Sequence, residues 1–559
     1  MTRSVPFGEV RLFGDRALLI GVAGARSARL LVTVLEDALR GADVELVSGQ
    51  DSVCIVARDP DAELGAFRAV VHDVLGAAPA APPPMALDEP EGRLVTIPCA
   101  FDGPDLAEVA ALAGCSSDEV VALLTSEPLT VGVVGFSPGF AYLDGLPAPL
   151  REVPRRARPR PVVPAGSVAL ANGHAAVYPT ASPGGWQLVG RTGVPLFSLD
   201  EPPYAALVPG DRVQFTVGGA GEPAEPAPLR ARAWSPPSGA RPVFEVLAPG
   251  LRAVVQDAGR RNVAASGVPG AGPADPVSCA LANGVAGNAP GAPVLEVTGG
   301  GTRVRGLGPC HVAVAGAAPP VRVDGRDVAP GQLVPFAEGQ VLEIGALVRG
   351  CRTYVAVAGG LIGPAVFGSQ SSDELSGLGP GPLGRGARLY AGAWTPPLGD
   401  HLAPGAATEL PAGGEPVELR VVPGPHAERF DPGVLDRLAA AAFEVGSASN
   451  RVGLRLQADG AREWGEAGGE LDSQPMVTGA VQLPPGGEPV VLLPDHATLG
   501  GYPVPAVVIA ADHGVLGQCG PGTVVRLVPV GQKDAAEALR ARRRAMAKAV
   551  LGHYPLAAG

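Results

Sequence analysis

GSVALANGHAAVYPTASPGGWQ, residues 166 to 187, and GAVQLPPGGEPVVLLPDHATLGGYP, residues 479 to 503, follow one pattern. Each reads as a strand, a Gly/Pro turn, a second strand, a His and then Gly-Gly-aromatic. Each is followed by a Pro-Gly turn that opens a last strand, PGDRVQF at 209 and PGTVVRL at 521. Short apolar runs bounded by turn residues read as strands. Four features recurring in one order point to an internal duplication more than to coincident turn chemistry. Both halves of the chain are therefore expected to end in the same kind of β-barrel.

The composition agrees. Of 559 residues, 79 are Gly and 61 are Pro, yet 46% are hydrophobic and 18% charged. That combination argues against disorder and for many short strands with few long helices. At roughly 150 residues per domain, the length implies three or four folding units. Two Ala/Pro-rich stretches, APAAPPPM at 78 to 85 and the run 218 to 242, bury too little surface to fold and read as spacers. They divide the chain into an N-terminal subdomain (1–80), a barrel region (90–217), a linker (218–242), a second half (243–530) and a basic C-terminal helix with its tail (531–559). Helical spacing over 27–42 and 59–76, beside the strand-like run Arg16 to Val22, makes the first of these a small α+β unit. A helical pattern recurs over 105–126, with Ser116 or Ser117 as its cap and Val120, Val121 and Leu124 as its apolar face. The expected class is mainly β with α+β parts.

Several functions are excluded or disfavoured. A net charge of −12 argues against a nucleic-acid surface. The only lysines are Lys533 and Lys548, so no P-loop, biotinylated carrier or Schiff-base lysine can sit in the body of the chain. Seven scattered cysteines without C-x-x-C spacing read as reduced thiols, and no histidine set has metal spacing. No apolar run reaches membrane-spanning length, and the expectation is a cytoplasmic protein. The helix AAEALRARRRAMAKAV is read as a solvated terminal helix packed by its Ala and Leu residues.

Polar and glycine signals concentrate in few places. GFSPGFAYLDGLP (135–147), PRRARPRPVVPAGS (154–167) and YPTASPGGWQLVGRT (178–192) set glycines beside aromatics, where a backbone can approach a flat ligand. The alternative is that Phe136, Phe140 and Trp186 are core. Arg155, Arg156, Arg158 and Arg160 alternate with prolines in an extended arm, pointing to a substrate anion or to water. In the second half, Gln256, Asp257 and Arg260 follow a strand, and Asp275, Ser278 and Asn283 follow a glycine-rich loop. An Asp beside Arg is either a general base or a strut. GLGPGPLGRG (377–386) lacks the Lys of a phosphate cradle and reads as a loop.

These segments also carry a resemblance to a known family. GFSPGFAYLDGLP, PRRARPRPVVPAGSVAL and SPGGWQLVGRT resemble the B subunit of 5-oxoprolinase, allophanate hydrolase subunit 1 and the kinase-A inhibitor of sporulation. LAPGLRAVVQDAGRRN, GVPGAGPADP, ALANGVAGN, LEVTGGG, YVAVAGGL, FGSQSSDELSGLG and DHATLGGYP resemble the C subunit of 5-oxoprolinase, also known as allophanate hydrolase subunit 2 or biotin-dependent carboxyltransferase. The chain thus resembles a fusion of the B and C subunits, related to urea amidolyase.

The resemblance implies cyclophilin-like barrels in both halves. It implies a component of ATP-dependent 5-oxoprolinase working with a separate A subunit, inactive alone, with ATP used through the assembled complex. Its alternatives are a urea carboxylase-like carboxyltransferase, which would need biotin, and a regulator of the kinase-inhibitor type. Small-molecule substrate, no nucleic acid, no membrane, no metal and a possible homo-oligomer complete the expectation. The candidate catalytic residues are Asp257, Asp275, Asp495 and His496. The candidate binding residues are His174, Tyr178, Ser182, Gly184, Gly185, Trp186, Arg191, Gln256, Arg260, Asn283, Arg451, Gly500, Gly501 and Tyr502, the two Gly-Gly-aromatic turns serving as matching pocket walls. Where the family commonly carries Gln, this chain has His174, His426 and His496.

Overall fold

The computed structural model describes residues 8–58, 64–77, 92–200, 202, 204–219, 235–317, 319–393, 410, 415–458, 464 and 471–551. The spacer at 78–85, most of the one at 218–242 and the tail after 551 lie outside the described residues.

Seven strands form the first barrel, in the spatial order Gln187–Arg191, Ser167–Ala171, His174–Val177, Ala141–Asp144, Leu129–Val134, Arg212–Val217 and Leu94–Cys99. Reciprocal backbone hydrogen bonds between Ala100 and Arg191, at 2.9 and 2.8 Å, bring its two edges together. The second barrel is closed, in the order Val417–Pro423, Ala506–Val508, Ala480–Gln482, Val490–Leu492, Gly453–Ala458, Ala442–Val445 and Val524–Pro529. Each barrel has a single parallel pair, its first strand beside its last. Starting from that pair, the two connect strand for strand. Each also puts out a two-stranded ribbon, Arg160–Val163 with Ser182–Gly184 and Gln474–Pro475 with Leu499–Gly500. The duplication is therefore one of connectivity. The histidines do not share in it: His174 opens its strand, whereas His496 lies after Val490–Leu492.

Before the first barrel, a four-stranded antiparallel sheet (Val10–Phe13, Ala17–Gly21, Ser52–Ala57, Val44–Ser48) carries the helices Ala25–Ala38 and Leu64–Ala77. Alternate residues of a strand face opposite ways. Leu18 and Ile20 accordingly pack with Leu31 and Leu35 of the first helix, while Ala17 and Leu19 join Phe140, Trp186, Leu499 and Val507 in a core shared by the sheet and both barrels. Of the two capping serines offered by the sequence, Ser116 is the cap. Its Oγ accepts from the Glu119 amide at 3.2 Å and the Glu119 carboxylate accepts from the Ser116 amide at 2.7 Å, a reciprocal box that satisfies two otherwise orphan donors.

The second half, expected as one stretch over 243–530, holds a further unit ahead of its barrel. Residues 241 to 391 form a sandwich of a seven-stranded and a five-stranded sheet over one core that includes Phe244, Val297, Phe336 and Val355. The spacer's last residues, Arg241 and Pro242, already belong to its first strand. Pro276–Val285 packs on its outer face, where Met546 and Ala549 of the terminal helix Gln532–Leu551 also rest. Among the described residues no single helix is long and apolar enough to cross a membrane.

Candidate functional site

Several second-half candidates, Arg260, Asp275, Asp495 and Arg451 among them, lie along a buried polar seam between the sandwich and the second barrel. Arg451, 2% exposed, reaches Asp495 with Nε and Nη2, both at 2.9 Å. Its Nη1 meets Glu296, and Nη2 also donates to the Gly272 carbonyl at 2.5 Å. Glu296 in turn accepts from the Ala274 amide at 3.1 Å and from the Tyr354 hydroxyl at 2.9 Å. Burial alone would raise the Glu296 carboxyl, but Arg451 and Arg352 hold it below its usual range. One guanidinium thus pins the loop 267–275 of the sandwich onto the barrel.

Arg260 donates its amide to the Gly270 carbonyl at 2.6 Å and Nη2 to Ser371 O at 2.5 Å, so it braces the same loop from behind. Asp257 accepts from Ser371 Oγ at 2.7 Å and from the Gln370 amide at 2.6 Å. Gln256 Nε2 donates to Ser372 O at 2.8 Å. Asp275 caps Pro276–Val285, accepting from the Ser278 amide at 2.9 Å and from Gln518 Nε2 at 2.8 Å. These carboxylates are held by hydrogen bonds in the interior, in the geometry of struts.

The braced loop forms one wall of a cavity of about 510 Å³. A second wall is the hairpin turn Phe13 to Ala17 with Glu45 and Arg58 of the N-terminal sheet. The second barrel supplies Thr478, His496, Thr498, Val507 and His513, and the terminal helix adds Leu539. Gly14 makes the approach possible. At its φ of +75° a Cβ is strained, and it would stand 2.8 Å from Val507. The next residue, Asp15, accepts from the Ala510 amide at 3.0 Å and anchors the turn to the barrel. Burial raises the Asp15 carboxyl, which nearby His513 counteracts.

The cavity's polar atoms are unevenly satisfied. Glu45 accepts from Arg58, from Val263 N at 3.2 Å and from Ala264 N at 3.3 Å. Arg58 Nε and Thr498 Oγ1, by contrast, are buried with no partner. His496 shares Nδ1 with the Ala497 carbonyl at 2.8 Å, so Nδ1 carries the proton and Nε2 is left as the acceptor of the neutral ring. Burial lowers the pKa of both His496 and His513. Ala271, on the loop wall, has a φ of +53°, an uncommon conformation for a residue with a Cβ.

Similarity to known proteins accounts for these walls. The model of the carboxyltransferase domain, subdomains C and D, matches residues 9–207, and that of subdomains A and B matches residues 266–529. The C subunit of 5-oxoprolinase from Escherichia coli (strain K12) is 33% identical over 305 residues, 54% of this chain and 94% of that protein. The chain belongs to the carboxyltransferase-domain family. The B subunit of 5-oxoprolinase from Escherichia coli O157:H7 is 41% identical over 177 residues, 31% of this chain and 77% of that protein. The solved protein TTHA0988 is 32% identical, with a TM-score of 0.78, covering 93% of this chain and 100% of its own. Urea amidolyase of Lachancea kluyveri is 31% identical over 53% of this chain, which accounts for 17% of that protein. The cavity thus draws its walls from both of the family's domain models in one polypeptide.

The remaining candidates lie elsewhere. His174 pairs with Asp144 at 2.8 Å on the first barrel. Arg191, 48% exposed, forms a surface pair with Asp102. Asn283 is fully buried in its helix, with its amide on the Pro290 and Ala292 carbonyls. Neither Arg191 nor Asn283 is brought to the cavity. Tyr178 and Trp186 stack edge to face on Phe140, with centroids at 5.2 and 5.9 Å, so these rings are core.

The Gly-Gly-aromatic turns are closely packed, and neither lines the cavity. A Cβ on Gly184 would stand 2.4 Å from the Tyr178 hydroxyl, and one on Gly501 would stand 3.4 Å from the Arg155 guanidinium. The Gly185 carbonyl accepts from Arg156 N at 2.7 Å, Ser182 is buried in the ribbon, and Gly500 and the half-buried Tyr502 flank Gly501. Arg156 and Arg160 are partly exposed, but their guanidiniums are held by an ion pair. They grip Asp105 at 2.8 and 2.6 Å.

His426 donates Nε2–H to Gln474 at 2.8 Å and accepts from Val504 N at 3.1 Å, and is buried and satisfied beside the barrel's ribbon. Asp15, Glu45, Arg58, Thr498 and His513 are cavity residues that the sequence does not single out. The Gly-Asp turn of RLFGDRAL is a visible hairpin signal, but nothing local marks it as a cavity wall.

Proposed function

We propose that this chain is the fused B and C component of an ATP-dependent 5-oxoprolinase, opening 5-oxo-L-proline to L-glutamate together with a separate A subunit. The observation that carries the reading is coverage: one chain spans 94% of the matched C subunit, together with 77% of the matched B subunit. The shared cavity supports it, since a site built from both stretches gains from their fusion.

Among the described residues there is no P-loop for a nucleoside triphosphate. Both lysines lie on the terminal helix, and the glycine-rich run 377–386 leads into the strand Arg388–Ala391 instead of a helix N-terminus. ATP is used through the assembled complex. This chain's contribution is to bind and orient the cyclic amide and to exclude bulk water from it. Water adds to the ring carbonyl carbon, the ring C–N bond breaks and the nitrogen leaves as an amine.

The test is glutamate release from 5-oxoproline with ATP, by the A subunit, by this chain and by the two together. Release only by the pair is expected. If a folded, bound pair releases none, the reading fails, and biotin-dependent transfer of labelled bicarbonate to urea becomes the assay for the carboxyltransferase alternative.

A further inference from the structure

We infer that the cavity between the Gly14–Arg16 turn, the 267–273 loop and the second barrel is the binding site for the cyclic amide acid, with Arg58, Thr498 and His496 reading its polar groups. This rests on the function proposed above and adds the location and the residues.

The argument starts from unmet hydrogen bonds. A buried donor or acceptor without a partner costs about 1–3 kcal/mol, so native interiors rarely leave two beside one void. Here Arg58 Nε and the Oγ1 of Thr498, a residue only 5% exposed, are both buried and unpartnered, and both residues line the same cavity. The cavity's volume of about 510 Å³ is within the range of small-molecule sites.

The donor and acceptor types then select the ligand class. Arg58 Nε offers an N–H and Thr498 a hydroxyl, both suited to carboxylate or carbonyl oxygens. His496, with Nδ1–H on the Ala497 carbonyl, presents Nε2 as an acceptor and so asks for an N–H. The carboxylates of the walls do not compete for that role: Glu45 is occupied by Arg58 and two backbone amides, and Asp15 by the Ala510 amide beside His513. A ligand with acidic oxygens at one end and an amide N–H and C=O at the other satisfies all three vacancies. A simple carboxylate leaves His496 unmatched, and a neutral amide brings the Arg58 and Thr498 donors one carbonyl oxygen and no negative charge.

The experiment uses the full chain with 5-oxo-L-proline in calorimetry, and the chain assembled with the A subunit for steady-state kinetics. L-Proline and cyclopentanecarboxylate serve as probes lacking the ring carbonyl and the amide. The variants are Thr498→Val, His496→Phe and Arg58→Lys, the last keeping the charge beside Glu45 while removing the Nε donor. Each is expected to weaken binding, or raise KM, about tenfold with a smaller change in kcat, and to melt near the wild-type temperature. Both control ligands should bind at least tenfold more weakly than 5-oxoproline. An active complex whose KM stays within twofold in all three variants overturns the site while leaving the function reading standing. No glutamate release and no binding of 5-oxoproline overturns both. If a variant fails to fold, selectivity among the three ligands on the wild-type chain still decides: equal binding of all three refutes the amide-acid reading.

Discussion

Replacing Arg451 with Met tests whether one side chain holds the cavity's loop wall in place. The guanidinium makes two bonds to Asp495, one to Glu296 and one to the Gly272 carbonyl, and both carboxylates are fully buried. Met fills a similar volume without charge, so the cost is that of stranding the partners. Among the described residues, Arg352, 3.6 Å from Glu296, remains as a nearby cation for that carboxylate. Breaking a buried pair from one side costs about 3–5 kcal/mol. At about 2–4 °C per kcal/mol for a unit of this size, that predicts a fall of about 6–20 °C in the melting of the second half.

Differential scanning calorimetry at pH 7.5 gives the shift directly. The double variant Arg451→Met, Asp495→Leu is expected to melt above the single one, because one stranded charge is gone. A single variant melting within 2 °C of wild type refutes the reasoning, since it would mean that the seam's charges are hydrated or compensated by groups other than those described.

Three further outcomes are expected. Burial pushes His426 down to about 4 from an ordinary value of 6.5. Its unfolded form therefore takes up a proton first as pH falls, and stability present above pH 6.5 is lost progressively towards pH 4, by up to about 3 kcal/mol. Urea titrations of His426→Gln and wild type between pH 7.5 and 4.5 should converge towards acid, and parallel curves would refute this. Gly267→Ala puts a Cβ 2.1 Å from the Ser137 carbonyl at a φ of +75°, which should cost at least about 1–3 kcal/mol and loosen the contact between the 135–140 loop and the sandwich, read by proteolysis within either loop. Ser116→Ala removes the cap of Ser117–Ser126 and should cost about 1 kcal/mol, with amide exchange quickened at Glu119 and its neighbours; unchanged exchange there would exclude the capping box as a stabilising element.

Much of the architecture is legible in the sequence because it is local. Gly/Pro punctuation between short apolar runs marks strands and turns, and two copies of one order of turns mark a duplication. The helices, the Ser116 cap and the N-terminal α+β unit follow from periodicity over ten or so residues. The sandwich at 241–391 does not stand out as a unit, because its strands carry the same turn chemistry as the barrel that follows, although the Pro/Gly/Ala-rich run 394–416 between the two has the composition of a spacer. The polar residues of the second half stand out by their position after strands and glycine loops, but whether an Asp there is a base or a strut depends on what stands opposite. Asp257 faces Ser369, Ser371 and the Gln370 amide, and Asp275 caps a helix, which no spacing along the chain reveals.

By itself the sequence determined the class, the repeated barrels, the absence of lysine chemistry from the body of the chain, and the family. Tertiary structure alone decided the cavity. The cavity joins residues near 15, 58, 270, 498 and 513, segments that share no periodicity and meet only because a hairpin turn with a glycine at positive φ can sit against the second barrel. Local pattern encodes how each segment folds, whereas which side chains face one void, and which of their polar atoms stay unpaired there, is set by packing between units far apart in the chain.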